Sequence, residues 1–253
     1  MTIQDAPSML APRSLSADWT LLPSSLPVPG VGVLPVNSFL LAGPEPLLVD
    51  TGLAALAGDY LAALGTQIDL QALRWIWLSH LDPDHTGNLR AVLDAAPDAR
   101  VVTSFLGRGK MLLQGLPTER VHLLEHGQSL QLPDRELLAL RPPYYDAPET
   151  LGFLDSATRT LFVSDCFGAL LPGPAASLDG VADEVLRAGV LAWSAIDAPW
   201  LADMETTQIA HRFVEINRLS PSRILSSHLP PIEGDARKLA HWLLHAPDMK
   251  EAA

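Results

Sequence analysis

The chain carries one cysteine, Cys166, among 253 residues. A single thiol excludes an intramolecular disulfide framework and any cysteine-rich zinc cluster, and it is compatible with a reducing cytoplasm. Basic residues are also scarce: 17 Lys and Arg stand against 29 Asp and Glu, for a formal net charge of −12. An acidic surface repels phosphate backbones and anionic bilayers, so neither nucleic acid nor a membrane is an expected partner. No continuous apolar run reaches the roughly 18 residues that a membrane span requires. The stretch Met1 to Pro7 lacks the basic and apolar regions of a secretion signal. A cytoplasmic location is therefore expected. The chain shows neither an internal repeat nor a low-complexity segment.

What is present fits one compact α/β domain. Hydrophobic residues make up 48% and charged residues 18%, and no linker composition divides the chain. We expect a flexible arm over residues 1–15 and a single domain over 16–253. Strands are expected at Trp19 to Leu22, Gly32 to Leu41 and Leu47 to Val49, then a helix from Leu53 to Leu64 stopped by Gly65. Strand and helix pairs follow at 73–78 with 86–95 and at 100–103 with 105–114, with a short strand at 121–124. The texture then turns antiparallel, with strands near 128–132, 137–141, 152–154 and 160–163 joined by polar turns. Helices return over 182–191 and 199–217 within a largely helical stretch, 180–218. A strand at Arg223 to Ser226 and a last helix at 235–244 complete the pattern, and Pro230-Pro231 are expected to stop regular structure after His228. Strands in two halves with helices between them predict facing mixed sheets covered by outer helices.

The chemistry concentrates in Ser79-His80-Leu81-Asp82-Pro83-Asp84-His85-Thr86-Gly87, immediately after an apolar strand. Two imidazoles and two carboxylates within six residues suit zinc, iron or manganese. Alternating residues of an extended turn project to one side, so His80, Asp82 and Asp84 are expected to share a cleft, with His85 aimed at a second position. Four ligands from one loop point to two metals, ~3.5–4 Å apart as in other binuclear centres. The plainer alternative is a capped helix start, with Asp84 or Thr86 as N-cap and Pro83 as a turn residue.

Three further residues sit at strand ends. Asp50 closes the strand Leu47 to Val49 in an Asp-Thr-Gly turn, where it is either a plain turn residue or a brace behind a metal ligand. Asp165 follows the strand Thr160 to Val163, and its two oxygens suit a bridge between ions. His228 follows the strand Arg223 to Ser226. Cys166, next to Asp165, is expected to be a buried inert thiol. Trp193 and Trp200 flank a proline-containing break, where core packing is preferred to a cleft wall or a dimer contact. His122, His126, His211, His241 and His245 fall away from every ligand position.

Taken together, His80-x-Asp82-x-Asp84-His85, Asp50-Thr51-Gly52, Asp165 and His228 resemble the metallo-β-lactamase superfamily over about residues 19–245. The loop is similar to the His-x-Glu-Pro-Asp-His-Ser/Thr-Gly version of flavodiiron and related oxygen-binding diiron proteins, with Asp82 for the glutamate. Ser164-Asp165-Cys166-Phe167-Gly168 resembles their Asn-Asp-Ala-Phe-Gly segment. The resemblance implies an αββα sandwich with two metals at one edge. It also calls for a histidine about nineteen residues before Asp165, where this chain has Asp146. If Asp146 substitutes as an oxygen ligand, the first metal is held by His80, Asp82, Asp146 and bridging Asp165, and the second by Asp84, His85, Asp165 and His228. One nitrogen against three oxygens is a hard site that suits iron or manganese better than zinc. The alternative is a degraded first site that leaves one metal.

The resemblance implies a non-haem diiron protein that binds or reduces dioxygen, a peroxide or nitric oxide, with Asp84 and Tyr145 as candidate catalytic residues. The alternatives are a hydrolase acting on an ester, thioester or amide through metal-bound hydroxide, and a non-catalytic sensor. A flavodoxin domain has no room before residue 253, so a separate electron-donor protein is expected beside the small-molecule substrate. A homodimer is also expected.

Overall fold

The computed structural model describes residues 6–245. Residues 1–5 of the expected arm and 246–253 of the expected domain lie outside that range.

In the first sheet, Ser8–Met9 (β1) and Arg13–Ser14 (β2) both pair with Trp19–Val28 (β3). Next come Gly32–Leu41 (β4) and Leu47–Val49 (β5). The helix Ala57–Gly65 (α1) leads to Trp75–Trp77 (β6), then Pro83–Thr86 (α2) and Leu89–Ala95 (α3) lead to Arg100–Thr103 (β7). Phe105–Leu113 (α4) precedes Val121–Leu123 (β8). The strand order is β1-β3-β4-β5-β6-β7-β8, and β5 to β8 run parallel.

The second sheet contains Ser129–Gln131 (β9), Glu136–Leu140 (β10), Gly152–Asp155 (β11) and Thr160–Phe162 (β12). After Asp183–Asp197 (α5) and Thr206–Arg218 (α6) come Arg223–Ser226 (β13), Leu229–Glu233 (β14) and Arg237–Leu244 (α7). Its order is β14-β13-β12-β11-β10-β9, with β12 and β13 parallel and the rest antiparallel.

Alternation along the strands builds the layers, because successive side chains leave opposite faces. Phe39, Leu47, Val49 and Trp77 of the first sheet meet Leu137, Phe153, Phe162 and Leu225 of the second in one core. Their neighbours Leu40, Leu48 and Ile76 point outward under Tyr60 and Leu64 of α1, Val92 of α3 and Met111 of α4. Leu154, Leu161 and Ile224 point outward under Val190 of α5, Phe213 of α6 and Leu239 of α7. Strands buried on both faces read as continuous apolar runs, and the result is the expected αββα sandwich.

Several expectations are corrected. Residues 8–14 are not a loose arm, because β1 and β2 cover the outer edge of β3, and Leu10 N–H adds a bond to the Pro23 carbonyl. β3 also continues through Pro23 to Val28 along the full length of β4. Pro230 and Pro231 do not stop the chain's regular structure. They lie in β14, which is the sheet edge, where a missing N–H is tolerated. Finally, α5 runs to Asp197 rather than ending near 191, because the buried series Leu186, Val190, Ser194 extends its apolar face until Pro199.

Candidate metal centre

Both sheets deliver side chains to one edge from the carboxyl ends of their parallel strands. Asp50 follows β5, His80 follows β6, Asp165 follows β12 and His228 follows β13. Asp146 enters from the loop between β10 and β11. The backbone is held in unusual conformations there: Asp50, Ser164 and Phe167 have φ of 55°, 53° and 68°. Left-handed geometry at non-glycine residues is costly, and it clusters where side chains must be aimed.

The His80 to His85 loop is not extended throughout. Asp82 occupies the N-cap position of α2 with Pro83 at its first turn, yet the Asp82 side chain makes no capping bond. Its carboxylate instead groups with His80 and Asp146, all three ligand atoms lying within 4.8 Å of one another. The helical turn starts at Pro83, not near Thr86, so Asp84 swings away from Asp82 and groups with His85 and His228. The shared cleft expected for His80, Asp82 and Asp84 is therefore corrected to two adjoining groups. Asp165 lies between them, 3.4 Å from His80 Nε2, 3.2 Å from His85 Nε2 and 3.4 Å from His228 Nε2.

Each imidazole is oriented through its other nitrogen. His85 Nδ1 donates to Asp50 Oδ2 at 2.8 Å, and His228 Nδ1 donates to the Pro35 carbonyl at 2.8 Å. His80 Nδ1 lies 3.1 Å from Ser79 Oγ and 3.2 Å from Ser164 Oγ. Ser79 gives both its amide and its hydroxyl to Asp50. Such partners fix the tautomer and present Nε2 to a metal. His80 Nε2 and His85 Nε2 are buried and have no hydrogen-bond partner. The donor set fits a pair of metal ions: three imidazoles presenting Nε2 and four carboxylates, with orphaned atoms facing inward.

Burial and mutual charge shift several of these groups in the metal-free protein. Burial opposes charge on His85, but the carboxylates of Asp84, Asp165 and Asp50 outweigh it and hold the imidazole well above its ordinary value. His228, likewise opposed by burial and drawn up by Asp165 and Asp84, reaches about 9. Burial works against Asp165 too, but three surrounding histidines hold it well below the usual carboxylate range. Asp146 is raised, chiefly by burial and with a contribution from Asp165.

Tyr145 is placed elsewhere than expected. Its ring packs 6.1 Å from that of Trp200 and beneath the Arg141 guanidinium, and it lines a groove with His126 and Arg212. Among the described residues no hydrogen bond joins its hydroxyl to the cluster. Tyr144 is the buried one: its hydroxyl accepts from Phe167 N–H at 2.7 Å and meets Ser194, tying the Asp165 turn to α5. Cys166 is buried, and burial raises its thiol.

Two further residues stand at the cluster: Trp193, for which the sequence favoured core packing over a cleft wall, and Asp197, which it did not single out. Trp193 stands edge-on to His228 with ring centroids 5.0 Å apart, so it walls the cleft. Asp197, one helical turn beyond it on α5, groups with Asp146 and Asp165. The signal was the i, i+4 spacing of Trp193 and Asp197, which puts both on one helix face. The other five histidines stay away from the cluster; His122 packs on Trp75 and His126 accepts from Arg141 N–H.

Comparison with known proteins agrees with the fold. A family model described as ODP family beta lactamase matches residues 34–228. The type A flavoprotein FprA of Rhodobacter capsulatus is 36% identical over 139 residues, covering 53% of this chain and 32% of its own length. The chain thus spans about a third of that relative. The rubredoxin oxygen:oxidoreductase of Desulfovibrio gigas superposes with a TM-score of 0.78 at 20% identity, over 92% of this chain and 59% of that one. The metal-soaked flavodiiron core of Flv1 from Synechocystis sp. PCC6803 gives 0.76 at 19%, over 94% and 61%. At those identities the structural likeness is one of fold.

Proposed function

Because the chain belongs to the ODP family of beta lactamases, we propose that its sheet edge holds two iron ions and reduces a small oxidant such as dioxygen, a peroxide or nitric oxide. The observation that carries this is the placement of Asp82 and Asp146 beside His80. With Asp165, they would offer an ion at the first position one nitrogen and three oxygens, a donor set that favours iron or manganese over zinc. His85, His228, Asp84 and Asp165 form the second position. Bound iron supplies the one-electron chemistry that a small oxidant requires.

The chain's own groups prepare that chemistry. Asp50 and Pro35 hold His85 and His228 with Nε2 inward. Asp84 Oδ2, 3.5 Å from His85 Nε2 and 3.4 Å from His228 Nε2, is about a fifth exposed and forms the solvent side of the second position. Trp193, edge-on to His228, walls that side of the cleft. Proton delivery at the rim falls to Asp84, since Tyr145 is turned toward Trp200.

We further propose that electrons arrive from a separate electron-donor protein and that the chain works as a homodimer. The names of its relatives support an external donor, since one is a flavoprotein and another a rubredoxin oxygen:oxidoreductase.

Elemental analysis and absorption spectra of protein from iron-supplemented cells test the proposal. Two irons per chain, oxo-to-iron absorption, and consumption of dioxygen or nitric oxide with a chemical reductant are expected. Stoichiometric zinc with turnover of a generic ester would sink it.

A further inference from the structure

Asp197 is the last residue of α5 and lies with Asp146 and Asp165, the three ligand oxygens being within 4.8 Å of one another. That position is doubly unfavourable for a carboxylate. The carboxyl end of a helix carries partial negative charge, and two other carboxylates face it. Among the described residues no lysine or arginine pairs with any of the three; Asp146 and Asp165 pair with histidines alone. Asp197 Oδ2 is buried and has no hydrogen-bond partner. Independently, His80 is fully buried with Nε2 unpartnered, and it points into the same group, 3.6 Å from Asp146 Oδ2 and 3.4 Å from Asp165 Oδ2. Asp146 and Asp165 are thus shared between the His80 imidazole and the Asp197 carboxylate.

We infer that Asp197 is a metal ligand supplied by helix α5, completing the first position with His80, Asp82, Asp146 and Asp165. The inference rests on the two-iron proposal and adds a ligand to it. Asp146 already puts a carboxylate where a neutral imidazole is expected, and Asp197 adds a further anionic oxygen, so the first position becomes selective for a hard cation. It also ties α5 to the sheet edge through the metal, so that the helix carrying Trp193 is held by the ion it helps to enclose.

Anaerobic equilibrium dialysis of metal-free protein against ferrous iron tests this, comparing wild type with Asp197→Asn, Asp146→Asn and the exposed control Asp203→Asn. Wild type and Asp203→Asn are expected to bind two irons per chain. Asp197→Asn and Asp146→Asn are expected to keep one half-saturation point unchanged and to weaken the other at least tenfold. Two unchanged half-saturation points in Asp197→Asn, or equal weakening of both, would overturn the assignment. Should the asparagine variant fail to fold, Asp197→Ala is dialysed with and without formate. Recovery of the second iron with formate supports a ligand role, and no recovery overturns it. Fewer than two irons in wild type would overturn the two-iron proposal itself, an outcome distinct from the others.

Discussion

Asp50 shows how one carboxylate organises the centre without facing it. It accepts from Ser79 twice and from His85 Nδ1, from a left-handed backbone conformation that the following Gly52 turn sustains. Outer partners of this kind change metal affinity by about 10–100-fold. Asp50→Ala is accordingly expected to weaken iron at the second position by that factor, measured by dialysis, while the fold survives. A second prediction at this scale concerns pH. His228, and His85 in the same direction, have folded values raised above the ordinary 6.5. Their contribution to stability is complete below about pH 6.5 and is lost as pH rises through about 9 for His228. Asp197, raised from 3.8 to about 8, lowers stability in the same direction, from about pH 4 up to about 8. The melting temperature of metal-free protein should therefore fall between pH 6.5 and 9. Metal replaces the protons, so the loaded protein should show a flatter profile. Calorimetry at matched ionic strength decides it. His80, Asp82, Asp84, His85, Asp165 and His228 were legible because each stands at a strand end or in one short loop. Asp197 was not, because its helix was expected to end six residues earlier and it appeared to lie in a break.

At the level of elements, the turn after β12 is closely fitted against the metal centre. A Cβ added at Gly168 would lie 2.7 Å from His228 Cβ and closer still to the Trp193 ring. Gly168→Ala should push His228 and Trp193 apart and release metal from the second position with a smaller effect on the first. Metal content per chain, and tryptophan fluorescence of the variant, would check this. Strands buried on both faces were readable as apolar runs, whereas β14 was hidden by its two prolines and β1 and β2 by their polar composition. Their existence depends on edges that only the assembled sheets create. The turn of α2 was obscured for another reason. The same residues, Asp82 and Pro83, satisfy the grammar of a helix start and of a metal loop, and only the missing capping bond separates the two.

For the molecule as a whole, an acidic chain concentrates carboxylates at one edge of a sandwich, and cation binding relieves that concentration. Ferrous iron at 100 times its dissociation constant should raise stability by about 2.7 kcal/mol per independent site. A chelator should lower the melting temperature correspondingly, and by less in Asp197→Asn. No helix among the described residues is long and apolar enough to cross a membrane.

The pairing of β12 with β13 is the one parallel register in the second sheet, and it joins segments about sixty residues apart. Contacts of such sequence separation form late. During synthesis, His80 and His85 emerge long before His228, and Asp197 comes between them. A ribosome-bound chain lacking β13 thus offers an open, weakly holding cluster, and tight retention of metal begins only when the last third of the chain docks. On the two-iron proposal, metal loading would then be timed by completion of the fold rather than by exposure of the first histidines.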